Sequence, residues 1–228
     1  MSMQAPYSRM VRDIVFDTLA QQGRAPSIAE IARITGSETD EVQHALNQLA
    51  DDHALVLSRD GDAIRMAHPF SAAPMAFVVT PSNGRDDRRW WGGCAWDSFG
   101  ISAAVGIDVR IDSTCPLCGA SLTVFAGPDM QPEGDYAVRF PRPAAEWWSD
   151  VVATCTMIRL FCNQGHAVEW TDEHAPGSGY IAEAATVWRL AQPWYGDRIA
   201  PDFTPHTRDF NQQLLQEVGL TGPFWRLP

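Results

Sequence analysis

The chain has 228 residues and a formal net charge of −11, and all 17 of its basic residues are arginine. Because an acidic surface repels phosphate groups, this charge argues against nucleic acid and anionic membranes as partners. Hydrophobic residues make up 45% of the chain, enough to bury a core. No apolar run reaches the roughly 18 residues that a membrane span needs.

The expected role of the cysteines depends on whether the protein lies in a reducing or an oxidising compartment. The N-terminal sequence MSMQAPYSRMVRD lacks the basic and then apolar order of a signal peptide, which predicts a cytoplasmic protein. Thiols stay reduced in that compartment. Five cysteines, including a Cys-x-x-Cys pair, therefore indicate metal binding or catalysis rather than a disulfide framework.

Residues 1–66 are predicted to form a winged-helix-like domain. Apolar residues recur at helical spacing in residues 7–22, and Ser27 with Glu30 forms a capping box that opens a second helix. A third helix and two short strands joined by a DGD turn complete the order of a winged helix. The third helix is acidic and has no arginine, so we interpret the domain as one that packs on the rest of the chain rather than on DNA.

The remainder of the chain is predicted to form an α+β domain over residues 90–228, reached through a proline-stiffened connecting segment at 67–89. A helix is predicted from Cys94 to Gly106, and short strands follow it. Residues 151–162, rich in β-branched and aromatic side chains, are predicted to form a central strand. The predicted fold class is therefore α+β, a winged-helix-like helical domain followed by a mixed β-sheet flanked by helices.

Cys94 and Asp97 lie three residues apart, which places them on one face of the predicted helix. A thiol and a carboxyl group one turn apart can act as a nucleophile and a proton carrier. The same spacing also suits a small buried cysteine beside a carboxylate that caps the helix. Spacing alone leaves both interpretations open.

A second set of residues has the spacing of a metal site. The CPLCG motif holds Cys115 and Cys118 in a turn typical of zinc sites, and Cys162 and His166 follow later in the chain. Three thiolates and one imidazole complete a tetrahedral set with no open position. The pattern predicts a structural zinc site, and the alternative is a reduced Cys-x-x-Cys pair with a surface histidine.

Strand parity separates the remaining cysteine from this set. If residues 151–162 form one continuous strand, Cys155 and Cys162 point to opposite faces. This parity places Cys155 with Cys94 and leaves Cys162 with the predicted zinc set. Two sites are therefore predicted.

Three segments, CAWDSFGISAAVG, STCPLCGASL and VVATCTMIRLFC, resemble the organomercurial (alkylmercury) lyase family in order and spacing. The resemblance covers nearly the whole chain, from the helical N-terminal segment to RDFNQQLL. It implies an enzyme whose catalytic trio falls on Cys94, Asp97 and Cys155. It also implies an N-terminal helical domain joined to a mixed sheet flanked by helices.

The resemblance implies protonolytic cleavage of carbon–mercury bonds. Cys94 and Cys155 would bind mercury, a soft metal that prefers thiolate ligands. Asp97 would take a thiol proton and deliver it to the departing carbon, releasing a hydrocarbon and leaving Hg(II) on the two sulfurs.

We expect three further features of the residues around this trio. Trp90, Trp91 and Trp96 are expected to wall the site, exclude water and favour the protonated form of Asp97. The two glycines before Cys94 are expected to loosen the pocket. The histidines of loops and proline-flanked positions are interpreted as ordinary surface or packing residues, namely His68, His174 and His206.

The partners implied by the resemblance are a small organometallic substrate and thiols as co-substrates, with hand-off of Hg(II) to a mercuric reductase. No organic cofactor is expected, and neither nucleic acid nor a membrane is an expected partner. Two alternatives stay open. One is a relative that uses the same trio on a non-mercury substrate, and the other is a non-catalytic metal-binding protein.

Overall fold

The structure, a computed structural model, describes residues 6–84, 86–201 and 203–228. The first five residues of the predicted helical domain lie outside these ranges. The helices are α1 Pro6–Gln22, α2 Ile28–Thr35, α3 Thr39–Asp51, α4 Ala95–Val105, α5 Val151–Met157, α6 Gln164–His174, α7 Ala184–Tyr195 and α8 Arg208–Glu217. Short 3₁₀ helices cover Ala144–Asp150 and Pro223–Trp225.

The strands are β1 Val56–Leu57, β2 Ile64–Ala67, β3 Phe70–Ser71, β4 Phe77–Pro81, β5 Trp90–Gly92, β6 Val109–Thr114, β7 Ser121–Ala126, β8 Ala137–Phe140, β9 Arg159–Phe161 and β10 Tyr180–Glu183. They form a seven-stranded sheet in the order β1-β2-β3-β5-β4-β6-β7 and a three-stranded sheet in the order β10-β8-β9. The predicted α+β class is confirmed. Where one mixed sheet was predicted, the strands pair into two antiparallel sheets. None of the helices within the described ranges combines the length and the apolar character that crossing a bilayer requires.

The N-terminal helices and the first hairpin follow the predicted order. The capping box opens α2 as expected, because the Ser27 hydroxyl accepts from the Glu30 amide and the Glu30 carboxylate accepts from the Ser27 amide. The β1-β2 hairpin continues through β3 into the large sheet, and the predicted connecting segment supplies β3 and β4. The winged-helix assignment and the domain boundaries stay predictions.

Helix α4 lies within the hydrophobic core. Every residue from Ala95 to Ala104 is buried, including the polar residues Asp97, Ser98 and Ser102. Helix α7 packs against it, and a Cβ atom added at Gly100 would lie 2.2 Å from the Tyr195 ring. Gly100 therefore allows the two helices to approach closely enough to bring the end of α7 to the start of α4.

The predicted central strand over residues 151–162 is wrong for its first half. Residues Val151–Met157 form helix α5, and only Arg159–Phe161 pairs as a strand. The Asp150 carboxylate caps the helix by accepting from the Ala153 amide at 3.0 Å. The hydroxyl of Thr154 donates to a carbonyl one turn back, so this β-branched residue is accommodated inside the helix. The local cap outweighs the β propensity of these residues.

Candidate active site

Cys94 and Asp97 meet at the buried N-terminus of α4, and each is 1% exposed. Cys94 is the N-cap residue, and its sulfur accepts a hydrogen bond from the Asp97 amide at 3.3 Å. The same thiol donates to Oδ2 of Asp97 at 3.2 Å. Cys94 is thus both a helix cap and the hydrogen-bond partner of a carboxylate, which combines the two interpretations that the spacing left open.

Cys155 reaches the same carboxylate from α5, and its thiol donates to Oδ2 of Asp97 at 3.7 Å. The Cys94 and Cys155 thiols also lie close enough to shift each other's pKa. A backbone contact holds the two helices together here, because the Ala95 amide donates to the Ile158 carbonyl at 3.1 Å. Cys155 lies in a helix, so the alternation of side chains along a strand that grouped it with Cys94 does not apply. The two sulfurs nevertheless lie together beside Asp97.

Two residues outside the predicted trio also contact Asp97. The Tyr195 hydroxyl donates to Oδ1 at 2.7 Å, and Nδ1 of His68 lies 3.2 Å from Oδ2. The interpretation of His68 as an ordinary surface or packing histidine is therefore wrong. His68 lies in the turn between β2 and β3, and its spacing from the trio carries no signal in the sequence. Its partner becomes visible only when β3 pairs with β5, the strand that leads to Cys94.

The pKa shifts at the site favour an ionised Asp97 and protonated thiols at Cys94 and Cys155. Burial alone would raise the pKa of Asp97, but the neighbouring His68 and hydrogen bonds from His68, Tyr195 and Cys94 outweigh it and lower that pKa. Burial, the Cys155 hydrogen bond and the negative charge of Asp97 raise the pKa of the Cys94 thiol well above its ordinary value. The pKa of Cys155 is lowered by its hydrogen bond with Cys94, yet burial and Asp97 raise it overall. The lowered pKa of Asp97 favours its ionised form, whereas the expectation from burial was that the protonated form would be favoured.

The trio opens into a cavity of about 90 Å³. Its aromatic walls are Trp96, Trp147, Trp148, Trp194 and Tyr195. Of the three tryptophans expected to wall the site, only Trp96 does so. Trp90 instead donates its indole N–H to carbonyls of α1, at Leu19 and Ala20.

The mouth of the cavity includes a residue from the N-terminal region. His53, which follows α3, stacks on Trp148 with ring centroids 4.2 Å apart, and both residues line the cavity. Trp148 is 39% exposed, so it lies between the cavity and solvent. The predicted helical domain therefore contributes to the site, although no sequence pattern singled out His53.

The two glycines before Cys94 tighten the site rather than loosen it. A Cβ atom at Gly92 would lie 2.2 Å from the Ser98 hydroxyl, and one at Gly93 would lie 2.5 Å from Oδ2 of Asp97. The absence of both side chains allows β5 to pass directly against the first turn of α4. The carboxylate can then occupy the space beside both sulfurs.

The four predicted zinc ligands also lie together. Sγ of Cys115 is 3.5 Å from Nδ1 of His166, and Sγ of Cys118 is 3.7 Å from Sγ of Cys162. All four ligand atoms lie within 4.8 Å of one another. This group, called the Cys/His cluster below, shares no residue with the trio.

A family model described as alkylmercury lyase matches residues 70–196, more than half of the chain. The chain belongs to the alkylmercury lyase family. The matched range includes the trio, His68's neighbouring strand β3 and the Cys/His cluster. The predicted family membership and the prediction of an alkylmercury lyase-like enzyme are both confirmed.

The fold of this family member is similar to that of a solved structure, the mercury-bound form of MerB2. The TM-score is 0.66 at 21% sequence identity, and the match covers 86% of this chain and 93% of that chain. The match therefore extends beyond residues 70–196, and it confirms the fold of the family member at the level of its backbone.

Proposed function

We propose that the protein cleaves the carbon–mercury bond of alkyl- or arylmercury compounds by protonolysis, using Cys94, Asp97 and Cys155. One observation carries the proposal. Both thiols donate to the same oxygen, Oδ2 of Asp97, inside an aromatic cavity. In a chain of the alkylmercury lyase family, this arrangement offers two soft ligands and one proton carrier to a single mercury atom.

The first step is exchange of a thiol ligand on mercury. The substrate enters as R–Hg–SR′, in which R′SH is a small thiol that acts as co-substrate. The Cys94 sulfur forms a bond to mercury, the bond from mercury to R′S breaks, and the Cys94 proton leaves with the departing group as R′SH. Burial raises the pKa of the Cys94 thiol and opposes its ionisation in the free protein. Mercury offsets this effect because the metal stabilises the thiolate.

The second step breaks the carbon–mercury bond. The Cys155 sulfur binds mercury while its proton passes to Oδ2 of Asp97, which is ionised in the free protein and can accept it. A second thiolate adds electron density to mercury and weakens the bond to carbon. Asp97 then protonates the carbon, R–H departs, and Hg(II) stays on the two cysteine sulfurs.

Tyr195 and His68 keep the carboxylate in place during this transfer. Their hydrogen bonds engage Oδ1 and Oδ2 of Asp97, so the carboxylate cannot rotate away from the sulfurs. The burial of the site limits competition from water. The lowered pKa of Asp97 leaves the carboxylate ionised before the substrate binds. Mercury acidifies the Cys155 thiol as it binds the sulfur, and protonation by that thiol turns Asp97 into the donor that the carbon requires.

Release of the product completes the proposal. The bound Hg(II) has two thiolate ligands at a cavity that opens to solvent beside Trp148. Small thiols can therefore displace the two cysteines by exchange, and a mercuric reductase is the proposed acceptor of the ion.

The experiment measures hydrocarbon release by purified protein mixed with phenylmercury or methylmercury and excess thiol. Wild type should form benzene or methane, and Cys94→Ser and Cys155→Ser should each reduce the rate by at least about 100-fold. Thr156→Ser is a matched control, because Thr156 lies in α5 beside Cys155 and is exposed. Equal hydrocarbon release by either cysteine variant would exclude that residue from the trio. A folded wild type that binds mercury but releases no hydrocarbon would overturn the proposed function.

A further inference from the structure

The Cys/His cluster joins two parts of the fold that are far apart in the chain. Cys115 directly follows β6, in the turn that leads to β7, and Cys118 lies in the same turn. Cys162 directly follows β9, and His166 lies in the first turn of α6. The first pair belongs to the seven-stranded sheet and the second to the three-stranded sheet and its helix, so an ion held here would cross-link the two sheets.

The atomic separations in the cluster match the edges of a zinc tetrahedron. Bond lengths of about 2.3 Å for Zn–S and about 2.0–2.1 Å for Zn–N give edges of about 3.8 Å between sulfurs and about 3.5 Å between sulfur and nitrogen. The Cys118–Cys162 sulfur separation is 3.7 Å, and the Cys115–His166 separation is 3.5 Å. Two ligands of one zinc ion lie at these same separations, so zinc coordination accounts for both contacts without a hydrogen bond.

The backbone around Cys115 has the form of a metal-binding turn. The backbone amides of Leu117, Cys118 and Cys162 lie near the Cys115 sulfur, where they favour its thiolate form by lowering its pKa. Gly119 has a φ of 71° and donates its amide to the Cys115 carbonyl at 3.0 Å, which closes the turn. A left-handed backbone at this position favours glycine over any residue with a side chain.

His166 is held in place by the helix that carries it. Asn163 caps α6 by accepting from the His166 amide at 2.9 Å, which orients the first turn toward the turn after β6. The imidazole therefore presents Nδ1 to the Cys115 sulfur. The four ligands come from two structurally defined turns, so the site is built into the fold.

We infer that the Cys/His cluster is a structural zinc site of the Cys₃His type, separate from the mercury-binding trio. Four protein ligands fill the tetrahedron, which leaves no position for a substrate. The site holds the turn after β6 against the end of β9. Only a few residues separate β9 from Cys155, so the ion also supports the element that brings Cys155 to Asp97.

The experiment starts with the full-length wild-type protein, produced without added metal and without mercury, and measures metals by mass spectrometry. We expect about one zinc ion per chain and a colourless protein. A strong chelator should remove the zinc and lower the Tm by roughly 5 °C or more, and added zinc should restore it. A protein that purifies without zinc and whose Tm does not respond to chelator or zinc would overturn the inference. Stoichiometric iron with visible absorption would also overturn it.

Variants then identify the ligands. Cys118→Ser and His166→Gln should lose the zinc, whereas His166→Cys should keep it, because a fourth thiolate restores the tetrahedral set. His174→Gln is the matched control on the same helix and should retain the full equivalent. Retention of a full zinc equivalent in both Cys118→Ser and His166→Gln would contradict the assignment. If those variants do not fold, the chelation experiment on wild type still decides the question.

Cys94→Ser separates this inference from the proposed lyase activity. It removes a thiol of the trio but none of the cluster, so it should lose carbon–mercury cleavage and keep about one zinc ion. Loss of zinc in Cys94→Ser would mean that the two sites share a ligand, contrary to the inference. Inactivity of the wild type toward organomercurials, with zinc retained, would count against the proposed function alone.

Discussion

The Tyr195 hydroxyl donates a 2.7 Å hydrogen bond to Oδ1 of Asp97, although 98 residues separate them in the chain. Both groups are buried, and burial together with the negative charge of Asp97 raises the pKa of Tyr195 well above its ordinary value. The phenol therefore stays protonated and remains a donor. This bond ties the end of α7 to Asp97, the proposed proton carrier.

Tyr195→Phe should raise the pKa of Asp97, because it removes a hydrogen bond that stabilises the ionised carboxylate. A hydrogen bond to a charged group contributes about 1.5–3 kcal/mol, so the acidic limb of the kcat/KM profile should move upward by roughly one to two pH units. The measurement is the pH dependence of methane release from methylmercury. Tyr180→Phe, which changes an exposed tyrosine away from the cavity, should leave the limb in place. An unchanged limb in Tyr195→Phe would mean that Asp97 does not govern it.

Asp97→Asn should separate mercury binding from turnover. The asparagine keeps the shape of the side chain but cannot carry a proton between sulfur and carbon. Hydrocarbon release should fall by roughly 10²–10⁴-fold, the usual contribution of a general acid–base group. Mass spectrometry should still detect one organomercury adduct bound to the thiols. If this variant turned over at the wild-type rate, a residue other than Asp97 would have to be the proton donor.

His68→Ala should also raise the pKa of Asp97, because it removes both the electrostatic effect of His68 and its hydrogen bond. We expect the acidic limb of kcat to move upward and the maximal rate to fall by about 10-fold, with mercury binding retained. His68→Asn retains an N–H donor near the position of Nδ1 and should recover part of the rate. His174→Ala, a change at an exposed histidine, serves as the control. If Ala and Asn variants behave identically, the hydrogen bond is not what His68 contributes.

Trp148→Ala should broaden the range of organic groups that the site accepts. The cavity of about 90 Å³ is smaller than the roughly 150 Å³ of a protein cavity that holds benzene, which favours short alkyl groups. Removing the partly exposed indole at the mouth should raise the ratio of phenylmercury to methylmercury kcat/KM by about 10-fold. Competition between the two substrates in one reaction measures that ratio directly. Trp170→Ala, away from the cavity, should not change it. A constant ratio in Trp148→Ala would show that cavity size does not select the substrate.

The helix that carries Asp97 and the Cys-x-x-Cys turn could be predicted from the sequence. The helix from Cys94 to Gly106 follows from its apolar composition and its terminal glycine, and the structure has α4 at Ala95–Val105 with Gly106 as its C-cap. The Cys-x-x-Cys turn and its glycine are likewise local. In each case the relevant contacts join residues a few positions apart, which is the range over which periodicity and capping report backbone conformation.

Tertiary packing determines which distant residues contact Cys94 and Asp97 at the start of α4. Residues 151–157 have β-branched side chains at several positions, yet a capping aspartate and the contact with the start of α4 place them in a helix. Tyr195 and His68 reach Asp97 only because α7 packs on Gly100 and β3 pairs with β5. These contacts join elements that are remote in sequence, and their distances depend on helix packing and sheet register. Residue types and local spacing are set by the order of amino acids, whereas helix packing and sheet register bring two thiols to one carboxylate oxygen.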